Sequence, residues 1–255
     1  MRFAFAGDRD IAVWTLEYLL AAGHRPEALL LRAASKASHG DRLAKLCGHL
    51  PAERVFHGKS FRREPALTAL RELELDFIVG VHFPYIVPPE VLEIPRHGVL
   101  NLHPAYLPYN RGWHTPSWAI LDGTPIGATL HFMDAGIDTG RIVAQRELDV
   151  RPGDTADALY RRVKRLELEV LKDAWPDLAA GNITRTAQDP DAGSAHVRED
   201  LLDPEFRRID LDASTTGGDL LRKLRAHTTS DPAEAAFFEQ DGKRYRVRVE
   251  IEEED

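Results

Sequence analysis

Apolar and polar positions along the chain alternate as they do when short strands are separated by amphipathic helices. Short apolar runs predict strands at residues 2–6, 28–31, 77–81, 98–102, 128–133 and 142–147. Helical spacing dominates between them, and the longest predicted helix spans residues 155–175, with Asp154 as its cap and Pro176 as its stop. This order predicts an open, mostly parallel α/β sheet with helices on both faces.

The pattern changes near residue 190. Residues 188–198 are rich in Asp, Pro, Gly and Ser, which predicts a loop. A helix over 218–226 and a β-hairpin that turns at Asp241-Gly242 are expected to follow, with strands at 236–238 and 245–251. We therefore predict an α/β domain in residues 1–190 and a small helix-and-hairpin extension in residues 191–255.

Composition narrows the class of protein. The chain has 255 residues, of which 43% are hydrophobic and 29% charged, as in ordinary soluble proteins. No run reaches the roughly 18 apolar residues of a membrane span, and the N-terminus predicts a strand rather than a signal peptide. The single cysteine, Cys47, excludes an intramolecular disulfide framework. These features predict a cytoplasmic protein that does not bind membranes.

Charge and histidine spacing bear on partners. The net charge of −8 and the acidic segment 250–255 argue against nucleic acid, because phosphate contacts need clustered Lys and Arg. The histidines lack the spacing of metal ligands, and one cysteine cannot build a cysteine zinc site. We therefore expect small-molecule substrates and no bound metal.

The candidate chemistry lies at the end of the strand at residues 98–102. Asn101 and His103 are two positions apart, so they share one face of that strand. In a parallel sheet, ligands bind beyond the carboxyl ends of the strands, which places Gly7, His82 and Asn101 on one rim. An amide and a protonated imidazole can stabilise an oxyanion, and a carboxylate such as Asp138 can hold the imidazole charged and relay protons. These groups suit transfer of an acyl group to an amine.

Residues around this strand strengthen that interpretation. They comprise Asn101-Leu102-His103-Pro104, Leu107-Pro108, Arg111-Gly112 and Asp138-Thr139-Gly140. With these flanks the chain resembles the formyltransferases that use N10-formyltetrahydrofolate, over about residues 1–190 and more loosely to the end. Residues 101–112 are most similar to the nucleotide-sugar N-formyltransferases within that family.

The resemblance implies an enzyme that transfers a formyl group from N10-formyltetrahydrofolate, as co-substrate, to the primary amine of a nucleotide-linked amino-deoxysugar. It implies that Asn101, His103 and Asp138 are catalytic, that Asp134 is structural, and that Leu107-Pro108 is a cis peptide. Whether His103 begins charged or acts as a neutral general base stays open.

The resemblance also assigns binding residues. Contacts to the folate are expected from Phe83, Tyr85, Ile86, Val87, Ala135 and Gly136. Plain core packing is the alternative for residues 83–87. The predicted pocket lies between that segment and residues 135–140, on the assumption that both leave the same rim of the sheet. Substrate binding is expected from Arg9, Tyr109, Asn110, Arg111 and Trp113.

Other functions are possible on the same residues. Methionyl-tRNA formylation would need a basic face and a full C-terminal barrel, of which the extension resembles only the opening part. Transformylation of a phosphoribosyl amine would leave the extension unexplained, and a folate- or nucleotide-binding protein without turnover is the non-enzymatic alternative. The extension is predicted to support a homodimer or to close the sugar-nucleotide site, through Phe237, Phe238, Tyr245 and Val247.

Overall fold

A computed structural model describes residues 1–254. Its strands are β1 Phe3–Gly7, β2 Ala28–Leu31, β3 Val55–His57, β4 Phe77–Val81, β5 Gly98–His103, β6 Arg111–Gly112, β7 Ile126–Phe132, β8 Ile142–Leu148, β9 Ala195–His196, β10 Ala236–Gln240 and β11 Lys243–Val247. Its α-helices are α1 Arg9–Ala21, α2 Gly40–Leu46, α3 Ala66–Glu72, α4 Pro89–Leu92, α5 Thr115–Asp122, α6 Ala156–Ala180, α7 Arg198–Leu202, α8 Pro204–Arg207 and α9 Gly217–His227. Within residues 1–254, no helix combines the length and the apolar character needed to cross a membrane.

The main sheet confirms the predicted α/β class. Its strand order is β3-β2-β1-β4-β5-β7-β8, with β1 to β5 parallel and β7 antiparallel to β5. Every residue of β1 and β4 is buried, as expected for central strands covered on both faces. Gly7 pairs with Val81 and Val81 pairs with Leu102, so the carboxyl ends of β1, β4 and β5 lie on one rim.

Residue contacts divide the chain into two compact units. The first comprises residues 1–103, 129–145 and 167–188, and the second comprises residues 104–128, 146–166 and 189 onward. The first is built on a large apolar cluster that includes Ala4, Leu30, Phe61, Leu70, Ile78 and Val99. In the second, α5 packs against α9 over a smaller cluster that includes Ile120, Ile126, Leu159, Val163 and Ala226.

Helix α6 is longer than predicted, because it continues through Pro176 to Ala180. Proline has no N–H to donate to the carbonyl four residues earlier, which here belongs to Lys172. The hydroxyl of Tyr18 donates to that carbonyl at 3.5 Å. Trp175 and Leu178, on either side of the proline, are both buried, so packing holds the last turns in place.

The start of α6 also differs from the prediction. Thr155 is the capping residue, since its hydroxyl accepts a hydrogen bond from the N–H of Ala158 at 3.3 Å. The carboxylate of Asp154 instead accepts from the N–H of Arg151 and pairs with the guanidinium of Arg162.

The C-terminal hairpin has the predicted turn. β10 and β11 are antiparallel, with Gln240 opposite Lys243. Asp241 and Gly242 between them both have positive φ, of 53° and 70°, as a two-residue type I′ turn requires. The second strand ends at Val247 rather than at residue 251.

Candidate active site

Strands β5 and β7 bring four polar side chains together in the first unit. Asn101 is opposite His131 and His103 is opposite Thr129 in the antiparallel pairing. Because alternate residues of a strand share a face, these side chains lie on the same side of the sheet. Asp138 reaches them from the loop that follows β7.

The predicted catalytic residues are in mutual contact. Asn101 Nδ2 donates to His131 Nε2 at 3.1 Å and to Asp138 Oδ1 at 3.4 Å. His103 Nε2 lies 3.5 Å from the second carboxylate oxygen of Asp138. Both His103 and Asp138 are largely buried, which strengthens their electrostatic interaction. The structure therefore places an amide, an imidazole and a carboxylate in one cluster.

His131 is a fourth member that sequence reasoning missed. It is fully buried, and its Nδ1 lies 2.8 Å from the carbonyl oxygen of Phe132. A carbonyl can only accept, so Nδ1 carries a proton and Nε2 accepts from the amide of Asn101. His131 thereby fixes which way the Asn101 amide faces. The alternation of Thr129 and His131 with apolar neighbours was the available signal, but the antiparallel pairing of β7 is not visible in the sequence.

The loop that carries Asp138 is tightly constrained. Asp134 Oδ1 accepts from the N–H of Gly136 at 3.0 Å and from the hydroxyl of Thr139 at 2.6 Å, so Asp134 has the predicted structural role. A Cβ atom at Gly140 would lie 1.8 Å from the carbonyl oxygen of Phe132. Glycine is therefore required where the chain leaves the loop.

This loop does not leave from the predicted rim. Phe132 is opposite Leu100, and the N–H of Met133 donates to the carbonyl of Val99 at 2.7 Å. The loop starts beside the middle of β5, because β7 runs antiparallel, and then folds back to bring Asp138 to Asn101. The assumption that residues 83–87 and 135–140 leave one rim was wrong for the second segment.

The predicted folate segment divides into buried and exposed residues. Phe83 and Val87 belong to the core of the first unit, which agrees with the packing alternative for these two. The hydroxyl of Tyr85 accepts from the N–H of Ala33 at 3.1 Å and so holds a neighbouring loop. Ile86 is 80% exposed and presents apolar surface to solvent.

A buried hydrogen-bonded pair of a histidine and a glutamate lies directly before this segment. His82 follows β4 with φ of 50°, and its Nε2 lies 2.8 and 3.0 Å from the two carboxylate oxygens of Glu167 on α6. The side chain of His82 is 6% exposed and that of Glu167 is 0% exposed. The pair fastens the start of residues 83–87 to α6.

The first strand-to-helix turn is occupied by its own carboxylate. Asp8 is buried and accepts hydrogen bonds from the N–H groups of Ser38 and His39, while Arg32 lies 3.3 Å away. Burial alone would raise the pKa of Asp8, but hydrogen bonds from Ser38, Arg9 and His39 outweigh it, and the pKa is lowered. These N–H groups are therefore engaged by Asp8. Arg9 itself is exposed beside this turn, and its role in substrate binding stays a prediction.

The predicted substrate segment lies in the second unit. Asn110 is fully buried, with Nδ2 donating to the hydroxyl of Thr124 at 2.9 Å and the backbone N–H donating to Ser194 Oγ at 3.0 Å. This placement argues for a structural role and against direct substrate contact. Trp113 is 44% exposed, with the guanidinium of Arg198 5.9 Å from its ring centre.

Three further predictions concern substrate binding, a cis peptide and bound metal. Tyr109 and Arg111 are partly buried, and their role in binding stays a prediction. The peptide between Leu107 and Pro108 is cis, as the resemblance implied. Among residues 1–254, no cluster of three or more His, Cys, Asp or Glu side chains is arranged to hold a metal ion.

Comparison with known proteins identifies the class to which this fold and site belong. Residues 24–175 match the family model described as formyl transferase. Residues 204–253 match the model described as N-formyltransferase dimerization C-terminal domain. The chain therefore belongs to the formyltransferase family and is an enzyme of formyl transfer.

Two of the similar proteins bear names that give different acceptors. Methionyl-tRNA formyltransferase of Lachnospira eligens is 30% identical over 254 residues, which cover 97% of this chain and 78% of the relative. The dTDP-4-amino-4,6-dideoxyglucose formyltransferase of Mycobacterium tuberculosis is 31% identical over 179 residues, covering 70% and 74%.

Two solved structures share the fold. A sugar N-formyltransferase from Shewanella has a TM-score of 0.83 at 24% identity, covering 100% of this chain and 99% of the other. The N-formyltransferase from Helicobacter canadensis, solved with folinic acid and dTDP-3-aminofucose, has a TM-score of 0.69 at 21% identity, covering 94% and 84%.

Proposed function

We propose that the protein transfers the formyl group of N10-formyltetrahydrofolate to the primary amine of a nucleotide-linked amino-deoxysugar. The observation that carries the chemistry is the contact of Asn101 and His103 with the carboxylate of Asp138. Membership in the formyltransferase family supplies the reaction class.

The mechanism follows from the groups present. The neutral amine attacks the formyl carbon, and Asn101 and His103 donate to the oxyanion of the tetrahedral intermediate. Collapse of the intermediate breaks the bond to N10, and Asp138 helps carry the proton lost by the amine to N10 of the departing folate. The products are a sugar formamide and tetrahydrofolate.

The contacts that Asp138 makes with Asn101 and His103 are weak enough for a substrate oxyanion to replace them. Asn101 to Asp138 at 3.4 Å and His103 to Asp138 at 3.5 Å are longer than ordinary hydrogen bonds of roughly 2.7–3.2 Å. A substrate oxyanion can therefore replace these weak contacts while the 3.1 Å bond from Asn101 to His131 holds the amide in place. A charged His103 stabilises the oxyanion directly, whereas a neutral His103 takes the amine proton, and the pH profile of kcat distinguishes the two.

Folate binding has separate support. The exposed side chain of Ile86 supplies an apolar contact surface beside the rim of the sheet. The structurally similar enzyme from Helicobacter canadensis was solved with folinic acid, a reduced formyl folate. We expect the pterin to contact Ile86 and the backbone of Ala135 and Gly136, with no metal required.

The proposed acceptor is a nucleotide-linked aminosugar rather than a transfer RNA. Support comes from the relative that acts on a dTDP-linked aminosugar and from the similar structure solved with dTDP-3-aminofucose. Transfer RNA binding needs many free phosphate contacts. In the C-terminal region, Arg244 pairs with Glu239 at 2.9 Å and Arg225 donates to the backbone of Asp154 and Arg151, so these cations are already engaged.

The C-terminal hairpin offers a surface at which a homodimer could form. Phe237 is buried, whereas Phe238 and Tyr245 stack on the other face with ring centres 5.1 Å apart. Tyr245 is 43% exposed, so that face carries an apolar pair at the surface. Together with the match to a dimerization domain, this surface is where we expect a second copy to bind.

A side-by-side acceptor assay tests the proposal. Purified protein is given N10-formyltetrahydrofolate with dTDP-, UDP- or GDP-linked 3-amino or 4-amino deoxysugars, or with methionyl-tRNA, and formamide products are followed by mass spectrometry. We expect formylation of at least one nucleotide sugar and none of the tRNA. Efficient tRNA formylation with no nucleotide-sugar product would overturn the acceptor while leaving formyl transfer intact.

A further inference from the structure

We propose that Gln188 is a positioning residue that holds the loop of Asp138 in its working conformation, an inference that rests on the catalytic role proposed above. Gln188 Nε2 donates to the backbone carbonyl of Asp138 at 2.8 Å and to that of Gly140 at 2.8 Å. It comes from a segment that is 50 and 48 residues away along the chain. No motif marks this residue in the sequence.

The orientation of the Gln188 amide is fixed by its partners. Backbone carbonyls can only accept, so the NH2 group and not the amide oxygen must face them. Both bonds lie at the short end of the usual range for N–H to oxygen. One side chain thus holds two carbonyls of the same loop.

The loop needs such support because Asp138 has φ of 53°. Aspartate tolerates this region better than most residues other than glycine, but the conformation still costs free energy, up to on the order of 1–3 kcal/mol, that the surroundings must offset. Asp134 bonds to Gly136 and Thr139 inside the loop, but these contacts do not hold the loop to the rest of the unit. Gln188 attaches the backbone of the aspartate to the rest of the unit, in addition to the contact that Asn101 makes with its carboxylate.

The segment that carries Gln188 is itself anchored. Thr186 donates to the carbonyl of Ile142 and accepts from its N–H, both at 2.8 Å. Ile142 begins β8, just after the Asp138 loop. The segment around Thr186 and Gln188 therefore runs beside the loop and fixes it from both its exit and its centre.

The consequence concerns the rate and not the binding of the acceptor. His103 and Asp138 are 3.5 Å apart, and a displacement of about 1 Å in a catalytic group can cost on the order of a hundredfold in rate. Releasing the Asp138 carbonyl lets the loop relax toward ordinary φ values and turns the carboxylate away from His103. Loss of Gln188 is therefore expected to lower kcat while the KM for the amine acceptor stays within about twofold.

Three variants test this inference. Gln188→Leu removes both donors and should lower kcat at least tenfold, with a shifted pH profile of kcat. Gln188→Lys keeps a donor on a long side chain and should recover part of the loss. Thr184→Val, an exposed position in the same segment, is the control and should behave as wild type.

Hydrogen exchange followed by mass spectrometry provides a second measurement that needs no substrate. In Gln188→Leu we expect faster exchange confined to residues 134–141. Exchange that rises throughout the first unit would mean that Gln188 is merely structural and would overturn the inference, as would unchanged kcat. If wild type formylates no acceptor but the loop responds as expected, the proposed function fails and the attachment of the loop stands.

Discussion

Each compact unit buries histidine, but the surroundings differ in a way that separates chemistry from packing. In the first unit, His82 pairs with Glu167 at 2.8 Å, and His103 and His131 lie 3.5 and 3.6 Å from Asp138. In the second unit, His227 is fully buried against the edge of Phe206, and no acidic side chain among the described residues pairs with it.

The two environments differ in the groups that surround the buried imidazole. Burial lowers the pKa of His227 to about 4, and the positive charges of Lys223, Arg207 and His114 act in the same direction. This imidazole is therefore neutral at physiological pH. His103, by contrast, lies beside the carboxylate of Asp138. Burial alone therefore does not identify a catalytic histidine, and neither does an acidic partner, since His82 also has one; contact with the cluster of Asn101 and Asp138 is what distinguishes His103.

The largest expected effect is on stability, from separating the buried pair of His82 and Glu167. Glu167→Leu leaves the imidazole without its carboxylate and should lower the free energy of unfolding by about 3–5 kcal/mol. The double variant His82→Phe with Glu167→Leu should recover part of this loss, because an apolar pair leaves no buried polar group without its partner. Urea unfolding of wild type, the two single variants His82→Phe and Glu167→Leu, and the double variant gives the coupling energy between the two side chains. Additive losses would show that the two side chains do not stabilise each other.

The next effect is on catalysis. His103→Asn and Asp138→Asn should each lower kcat by about a hundredfold or more, because each removes charge stabilisation or proton transfer in the transition state. Their unfolding midpoints should stay close to wild type, unlike that of Glu167→Leu. Steady-state kinetics with the preferred acceptor make the comparison. Near-normal turnover in either variant would remove that residue from the mechanism.

Local sequence patterns predicted much of the fold. The continuous apolar runs of β1 and β4, and the Asp241-Gly242 turn, carry their structural signal within a few residues. The candidate site could be predicted as far as Asn101, His103 and Asp138, because flanking residues mark them. These predictions needed no knowledge of which strands are neighbours.

The features that could not be predicted from the sequence depend on contacts between residues far apart along the chain. Pro176 lies inside α6, where burial of Trp175 and Leu178 holds the last turns and the Tyr18 hydroxyl lies 3.5 Å from the carbonyl that the proline leaves free. His131 meets Asn101 only because β7 is antiparallel to β5, and Gln188 reaches Asp138 from a segment that reads as a loop. Each case is a contact between residues far apart along the chain, which neither periodicity nor propensity encodes.

The smallest effect is a pH dependence of stability, and it isolates the second unit. His227 has a pKa of about 4 in the folded protein against 6.5 as its ordinary value, so between these pH values only the unfolded chain takes up the proton. Unfolding is therefore favoured as pH falls through this window, and stability rises as pH increases toward 6.5. Between pH 7 and pH 5 this group should cost wild type about 2 kcal/mol. His227→Phe keeps an aromatic ring and removes the titration, so its free energy of unfolding should fall by that much less over the same interval. Urea unfolding of both proteins at the two pH values gives the difference, and other titrating groups cancel because they are shared. Equal pH dependence in the two proteins would mean that His227 is not held neutral by burial, and the contrast with the acid-paired histidines of the first unit would disappear.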